Sequence, residues 1–245
     1  MDDAEHYFKR VMPSYQKQLV QLLRIPSISQ KPEHRKDLLK IAQETAALAQ
    51  SFGFKVQVIQ STIYSPGVVG KLEVGPGLPW LLIYNHLDVQ PADEPEWNTK
   101  PFEPVIRETG VIARGATDDK GPMLATLYAI KYLHETKQLP VNVEIIYETY
   151  EENGSLGFDS LLWDALKKGL LVKPDSILVS DGVFLGEHPT IDIALRGLLK
   201  VKVSVQTASK NIHSGLGGGV VRNPLHILMT ALSKCYDLHT GKVFI

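Results

Sequence analysis

Apolar residues recur at helical spacing through Phe8, Val11, Met12, Tyr15, Leu19, Leu22 and Leu23, and Pro26 closes that segment. A second helical pattern runs through Leu38, Leu39, Ile41, Ala42, Thr45, Ala46 and Leu48. It stops near Gly53 and leads into the strand-like Lys55-Val56-Gln57-Val58-Ile59. Trp80-Leu81-Leu82-Ile83-Tyr84 is too short for a helix and apolar on both faces, which predicts a strand inside a sheet with His86 at its end. Gly121 to Tyr132 predicts a helix, Val141 to Tyr147 a strand, Leu156 to Lys167 a helix, and Ser176 to Ser180 another short buried strand. This alternation predicts an α/β fold, a sandwich of helices and sheet. From about Leu195 the pattern changes, because Leu199, Val201, Val203 and Val205 alternate with polar residues as in a strand with one wet face. The expected organisation is a first domain over 1–194 and the start of an α+β module over 195–245. No repeat or low-complexity segment interrupts it, but Gly215 to Gly219 forms a glycine-dense loop.

Composition narrows the function classes. At 245 residues and 44% hydrophobic content the chain can bury a substantial core. Lys and Arg number 26 against 27 Asp and Glu, so no basic field invites nucleic acid. The acidic start, Met1-Asp2-Asp3-Ala4-Glu5, is unlike an export signal, and no apolar run approaches the ~18 residues of a membrane span. A single cysteine, Cys235, rules out an internal disulfide framework. It fits a reducing, cytoplasmic setting, and Cys235 itself is expected to be a small buried apolar residue.

Chemistry concentrates where strands are predicted to end, the place open α/β sheets put ligands. In His86-Leu87-Asp88, positions i and i+2 of an extended chain face the same way, so Asp88 can hold the His86 ring as carboxylates do behind metal-ligating histidines. An ordinary loop histidine is the alternative. Asp118 and Asp119, ahead of a helix, can cap it, or one carboxylate can bridge two cations. Glu151 and Glu152 follow an apolar strand; they can be a solvated charge pair, or one can ligate metal while the other moves a proton. Asp181, in Ser180-Asp181-Gly182, can be a turn residue or a further oxygen ligand. His213 lies in the second module before the glycines and can be a plain loop histidine. Together the strand ends carry a histidine and hard carboxylates suited to Zn2+, Mn2+ or Co2+.

In this order, His86-x-Asp88, Gly115-x-Thr117-Asp118-Asp119-Lys120-Gly121, Glu151-Glu152-x-Gly154-Ser155, Ser180-Asp181 and His213-Ser214-Gly215 resemble the M20 metallopeptidase family. The Thr-Asp-Asp-Lys-Gly-Pro form is similar to that of its carnosinase-like dipeptidases. The similarity runs from Arg24-Ile25-Pro26-Ser27 to beyond Asn223-Pro224. The resemblance implies a zinc-exopeptidase-like catalytic domain, a mixed-sheet α/β/α sandwich, that hydrolyses an amide bond of dipeptides or short peptides. It implies two divalent ions, Zn2+ first and Mn2+ or Co2+ as alternatives. His86, Asp118 and Asp181 would hold one, Asp118 and Glu152 the other. Glu151 would act as general base and acid on a metal-activated water, and Asp88 would orient His86. The Asp118-Asp119 peptide bond would be cis. The second module would be a lid and homodimer surface whose His213 stabilises the oxyanion. Two rivals stay open: deacylation of N-acyl amino acids, and a catalytically inactive fragment serving binding or assembly.

The family's second site takes a final histidine from a later segment, and His226 and His239, the histidines after His213, both fall in the expected lid. Only Asp118 and Glu152 remain for that ion, fewer than the usual three protein ligands of a catalytic zinc. The isolated 245-residue polypeptide is therefore expected to bind one ion better than two and to turn over poorly. Metal titration with an activity assay checks this; chelator-sensitive turnover by that polypeptide would contradict it.

Overall fold

The computed structural model describes residues 4–182, 190–195, 197–198, 200–237 and 239–244. The chain divides into two compact units, Met1–Thr190 and Ile191–Ile245.

In the first unit the order is α1 (Ala4–Leu23), α2 (Arg35–Ser51), β1 (Lys55–Ile59), β2 (Gly67–Leu72) and β3 (Trp80–His86). A two-stranded hairpin of β4 (Val105–Arg107) and β5 (Gly110–Ile112) comes next, then α3 (Lys120–Glu135), β6 (Asn142–Glu148), a 3-10 turn at Glu151–Asn153, α4 (Phe158–Lys167) and β7 (Ser176–Val179). The main sheet runs β1-β2-β6-β3-β7. β1 and β2 are antiparallel to their neighbours, whereas β3 pairs parallel with both β6 and β7.

Strand alternation sorts the sheet's side chains into two cores. Val68, Leu72, Ile83, Val143 and Ile145 pack with Leu19, Leu22 and Leu23 of α1, Ile41 and Ala42 of α2, and Met123, Leu124 and Leu127 of α3. Val69, Leu82 and Ile146 point to the other face and meet Leu161 and Ala165 of α4. Helices on both faces of a mixed sheet make the expected α/β/α sandwich.

Three expectations need correction. The segment Ser176 to Ser180 was expected to be buried, but Ile177 and Val179 are 63% and 53% exposed. The reason is position: among the described residues β7 is the edge strand of the sheet and is paired on one side only. The alternating segment from Leu195 to Val205 carries no strand among its described residues, and Leu199 lies outside them. Alternation alone supplies no pairing partner, and a strand needs one. Cys235 is exposed rather than buried; it ends a helix with no buried residue.

The second unit contains α5, a helical turn at Ser214–Gly217, and α6 (Pro224–Cys235). The Asn223 side chain caps α6 by accepting from the Leu225 amide, and Pro224 stands at its first position. Among the described residues, no helix is long and apolar enough to cross a membrane.

At the start of α3, Lys120 is fully buried, and its ammonium donates to the carbonyls of Ile25 (2.7 Å) and Leu22 (3.2 Å). It thereby ties the end of α1 to the loop before α3. Burial pushes its pKa down to about 7, with Asp88 and Asp37 opposing. Gly121 follows because nothing larger fits: a Cβ there would lie 2.0 Å from the Ala116 carbonyl oxygen. Backbone cannot yield as a side chain does, so Gly121→Ala is expected to cost about 3 kcal/mol. Urea denaturation with parental and variant protein checks this; equal midpoints would contradict it.

Candidate metal centre

Parallel pairing decides which residues share an edge. In register, His86 lies opposite Glu148 and Tyr84 opposite Val179, so β3, β6 and β7 end together. The chain beyond β6 enters the Glu151–Asn153 turn, closed by Gly154 in the left-handed region at φ 86°. The chain beyond β7 delivers Asp181, and the loop before α3 delivers Asp118 and Asp119 across a cis peptide bond.

His86 sits at the centre and is fully buried. Its Nε2 is 2.8 Å from Asp118 Oδ1 and 3.8 Å from Asp181 Oδ2. Its Nδ1 lies 3.1 Å from the Asp88 carbonyl oxygen and 3.4 Å from Asp88 Oδ1. Two trios, His86-Asp118-Glu152 and His86-Asp119-Asp181, each offer one imidazole nitrogen and two carboxylate oxygens within 4.8 Å of one another. Glu151 belongs to neither trio among the described residues.

The electrostatics are those of crowded acids. Burial opposes a charge on His86, but hydrogen bonds to Asp118 and Asp88 outweigh it and lift the pKa to about 11. The same hydrogen bond to His86 holds Asp118 below the usual carboxylate range. Burial raises Glu151, Glu152 and Asp181, each opposed by the His86 charge and raised further by neighbouring acids. One ring cannot neutralise this many carboxylates, whereas divalent cations can. The hard oxygen and imidazole donors suit such ions, and buried Asp119 Oδ1 has no hydrogen-bond partner among the described residues. The residues present fit a metal site.

Two supporting features were not visible in the motifs. Asp88, read as the orienter of His86, also accepts from the backbone amides of Glu151 (3.1 Å) and Glu152 (3.0 Å). One buried residue thus braces both, its carbonyl oxygen meeting the ring and its carboxylate the Glu-Glu turn. Asp119, read as a helix cap or as part of the paired carboxylates, is fully buried and accepts from Asn85 Nδ2 (2.7 Å) and the His86 amide (3.1 Å). Although it is the N-cap residue of α3, its side chain makes no capping bond. Burial pushes its pKa up to about 7 against those donors. The Asn85 amide also donates to Ser180 O at 2.9 Å, joining the Asp119 loop to the segment bearing Asp181. An asparagine ahead of a strand-end histidine was the available signal for this link.

His213 lies in the second unit, where it is exposed and its Nδ1 accepts from the Gly215 amide at 3.0 Å.

Asp88→Ala leaves the Glu151 and Glu152 amides without their acceptor and removes the carboxylate 3.4 Å from His86 Nδ1, while the ring keeps its bond to the carbonyl of residue 88. It is expected to destabilise by about 1.5–3 kcal/mol, with Asp88→Asn losing less because one acceptor oxygen remains. Denaturant titration of both variants checks the order; a neutral Asp88→Ala would show that the clamp holds nothing.

Residues 82–211, just over half of the chain, match the family model described as peptidase family M20/M25/M40. The chain is 33% identical to the Cys-Gly metallodipeptidase dug1 of Schizosaccharomyces pombe over 85% of its own length and 46% of that protein. It is 30% identical to the Beta-Ala-His dipeptidase of Homo sapiens over 86% of its length and 44% of that protein. Among solved structures, it is similar to the M20 family metallo-carboxypeptidase Sso-CP2 from Sulfolobus solfataricus, with a TM-score of 0.75 and 29% identity. That match covers 94% of this chain and 51% of the other. The chain spans about half the length of the curated relatives it matches. With that family model matched over more than half of its residues, the chain belongs to peptidase family M20/M25/M40.

Proposed function

We propose that the protein carrying this chain hydrolyses an amide bond in dipeptides or short peptides with the help of two divalent cations. The observation that carries this is the meeting of His86, Asp118, Glu152 and Asp181, from separate segments, around one buried ring, with Glu151 beside them and outside both ligand trios. The activities for which the relatives are named, Cys-Gly and Beta-Ala-His dipeptide cleavage, favour peptides over N-acyl amino acids.

In this reading His86, Asp118 and Asp181 hold one cation, and Asp118 and Glu152 contribute to the second, with Zn2+ preferred for its affinity for mixed nitrogen and oxygen sites. When bound, the cations supply Lewis-acid polarisation and a lowered water pKa. The work of the chain's own residues is proton handling and placement. Glu151, lifted above the ordinary carboxylate range by burial, accepts a proton from the attacking water. It then returns that proton to the departing amine nitrogen as the C–N bond breaks. Asp88 keeps Glu151 within reach through the Glu151 amide and steadies His86.

The second unit is read as the beginning of a lid and homodimer surface, its domain starting near residue 195. There His213 would donate to the developing oxyanion, a contribution of roughly 2.7–4 kcal/mol for one such donor. The free thiol of Cys235 fits a reducing, cytoplasmic compartment.

Glu151→Gln is expected to lower kcat by about 10²–10⁴-fold while cation stoichiometry stays at the parental value. Steady-state kinetics and metal analysis of the complete enzyme, offered Xaa-His and Xaa-Gly dipeptides alongside N-acyl amino acids, test this. Turnover that survives both Glu151→Gln and exhaustive chelation would remove the proposal, and preference for the N-acyl substrates would redirect it to deacylation.

A further inference from the structure

The segment Ser27 to Gln30, just after α1, has no part in the chemistry described so far, yet it lies along the chain that follows His86. Ser27 Oγ donates to Leu87 O at 2.7 Å, the Val89 amide donates to Ser27 O at 3.0 Å, and Ile28 forms a parallel bridge with Val89. Ser27, Ile28, Leu87 and Val89 are all buried, so this pairing is firmly seated. Its consequence is to set two glutamines side by side at the end of the pair, Gln30 and Gln90.

Their amides are connected in one direction. Gln30 Nε2 donates to Gln90 Oε1 at 2.9 Å and to the Glu152 carbonyl at 2.6 Å. With its oxygen engaged, Gln90 turns its NH2 group to Glu152. Gln90 Nε2 donates to the carboxylate Oε2 at 2.7 Å and to the backbone carbonyl at 3.2 Å. The Gln30 bond therefore selects which way the Gln90 amide points, because the flipped amide would set oxygen against carboxylate. A neutral amide also fixes a carboxylate without cancelling its charge, whereas Lys or Arg in its place would compete with a cation.

We infer that Gln90, oriented by Gln30, is a positioning residue that sets the Glu152 carboxylate for one of the two cations and so governs that cation's affinity separately from the other. The inference rests on the reading of Glu152 as a ligand. Hydrogen-bonded partners behind metal ligands typically change affinity by about 10- to 100-fold when removed.

The test is a Co2+ titration of the complete, chelator-stripped protein, read by visible absorption and by stoichiometry. Gln90→Glu keeps the size but replaces the donor by an acceptor. It is expected to weaken the second binding phase by about 10- to 100-fold, shift its absorption band and leave the first phase unchanged. Gln30→Ala, one step further from the cation, is expected to act in the same direction by a smaller factor, and it carries the test if Gln90→Glu does not fold. The double variant should lose less than the two effects combined, because both act through one amide. Glu152→Ala serves as the reference and should abolish the second phase. A parental titration in Gln90→Glu or Gln30→Ala, with the second phase lost in Glu152→Ala, overturns the inference and leaves Glu152 as a ligand. Lower thermal stability with a parental Co2+ spectrum also overturns it, by showing a purely structural role. Two intact phases in Glu152→Ala overturn the ligand assignment and the inference with it.

Discussion

Parallel pairing of β3 with β6 on one side and β7 on the other is the constraint on which the site depends. Parallel neighbours end at the same edge of a sheet, so residues far apart in the chain emerge together. His86, the Glu151-Glu152 turn and Asp181 share an edge for this reason, and the loop before α3 closes over the same place. The two helical layers keep the sheet in place by burying both of its faces.

Gathering acids in this way is costly, and the surroundings of the site answer that cost with directed hydrogen bonds. Asp88 is shared between the His86 ring and two backbone amides, Asp119 takes the Asn85 amide and the His86 amide, and Glu152 takes the Gln90 amide. Behind the turn, buried Glu148 accepts from Tyr84 (2.7 Å) and Ser155 (2.8 Å). Apart from the His86 ring, each of these donors fixes a carboxylate without adding a compensating positive charge. What remains is a negatively charged cluster around one imidazole, an arrangement that a divalent ion stabilises and a neutral ligand does not.

The elements of the first unit were legible because their periods are strong. The runs in α1, α2 and α3 repeat at helical spacing, and β3 and β6 are short, apolar and bounded by turns. β2 escaped notice because Gly67-Val68-Val69-Gly70-Lys71-Leu72 contains two glycines, which weaken a strand signal. The glycines are there for packing: a Cβ on Gly67 would meet Leu161 of α4 at 2.7 Å, and one on Gly70 would meet Val56 at 3.0 Å. The segment near Val201 misled in the opposite sense, since alternation marks a strand only when a neighbour is present to pair with it.

By itself the sequence determined which residue types stand at the strand ends, and the motifs around His86, Asp118, Glu151, Glu152 and Asp181 named them, because ligand chemistry is a property of side chains. Tertiary structure alone decided which of them meet. It also decided that Asp88 serves three partners rather than one, that Asp119 turns inward instead of capping α3, and that Gln30 and Gln90 stand beside Glu152. The reason is distance along the chain: Gln30 and Glu152 are separated by 122 positions, and no local pattern records a contact made only when a buried parallel bridge and a sheet edge bring two such segments together.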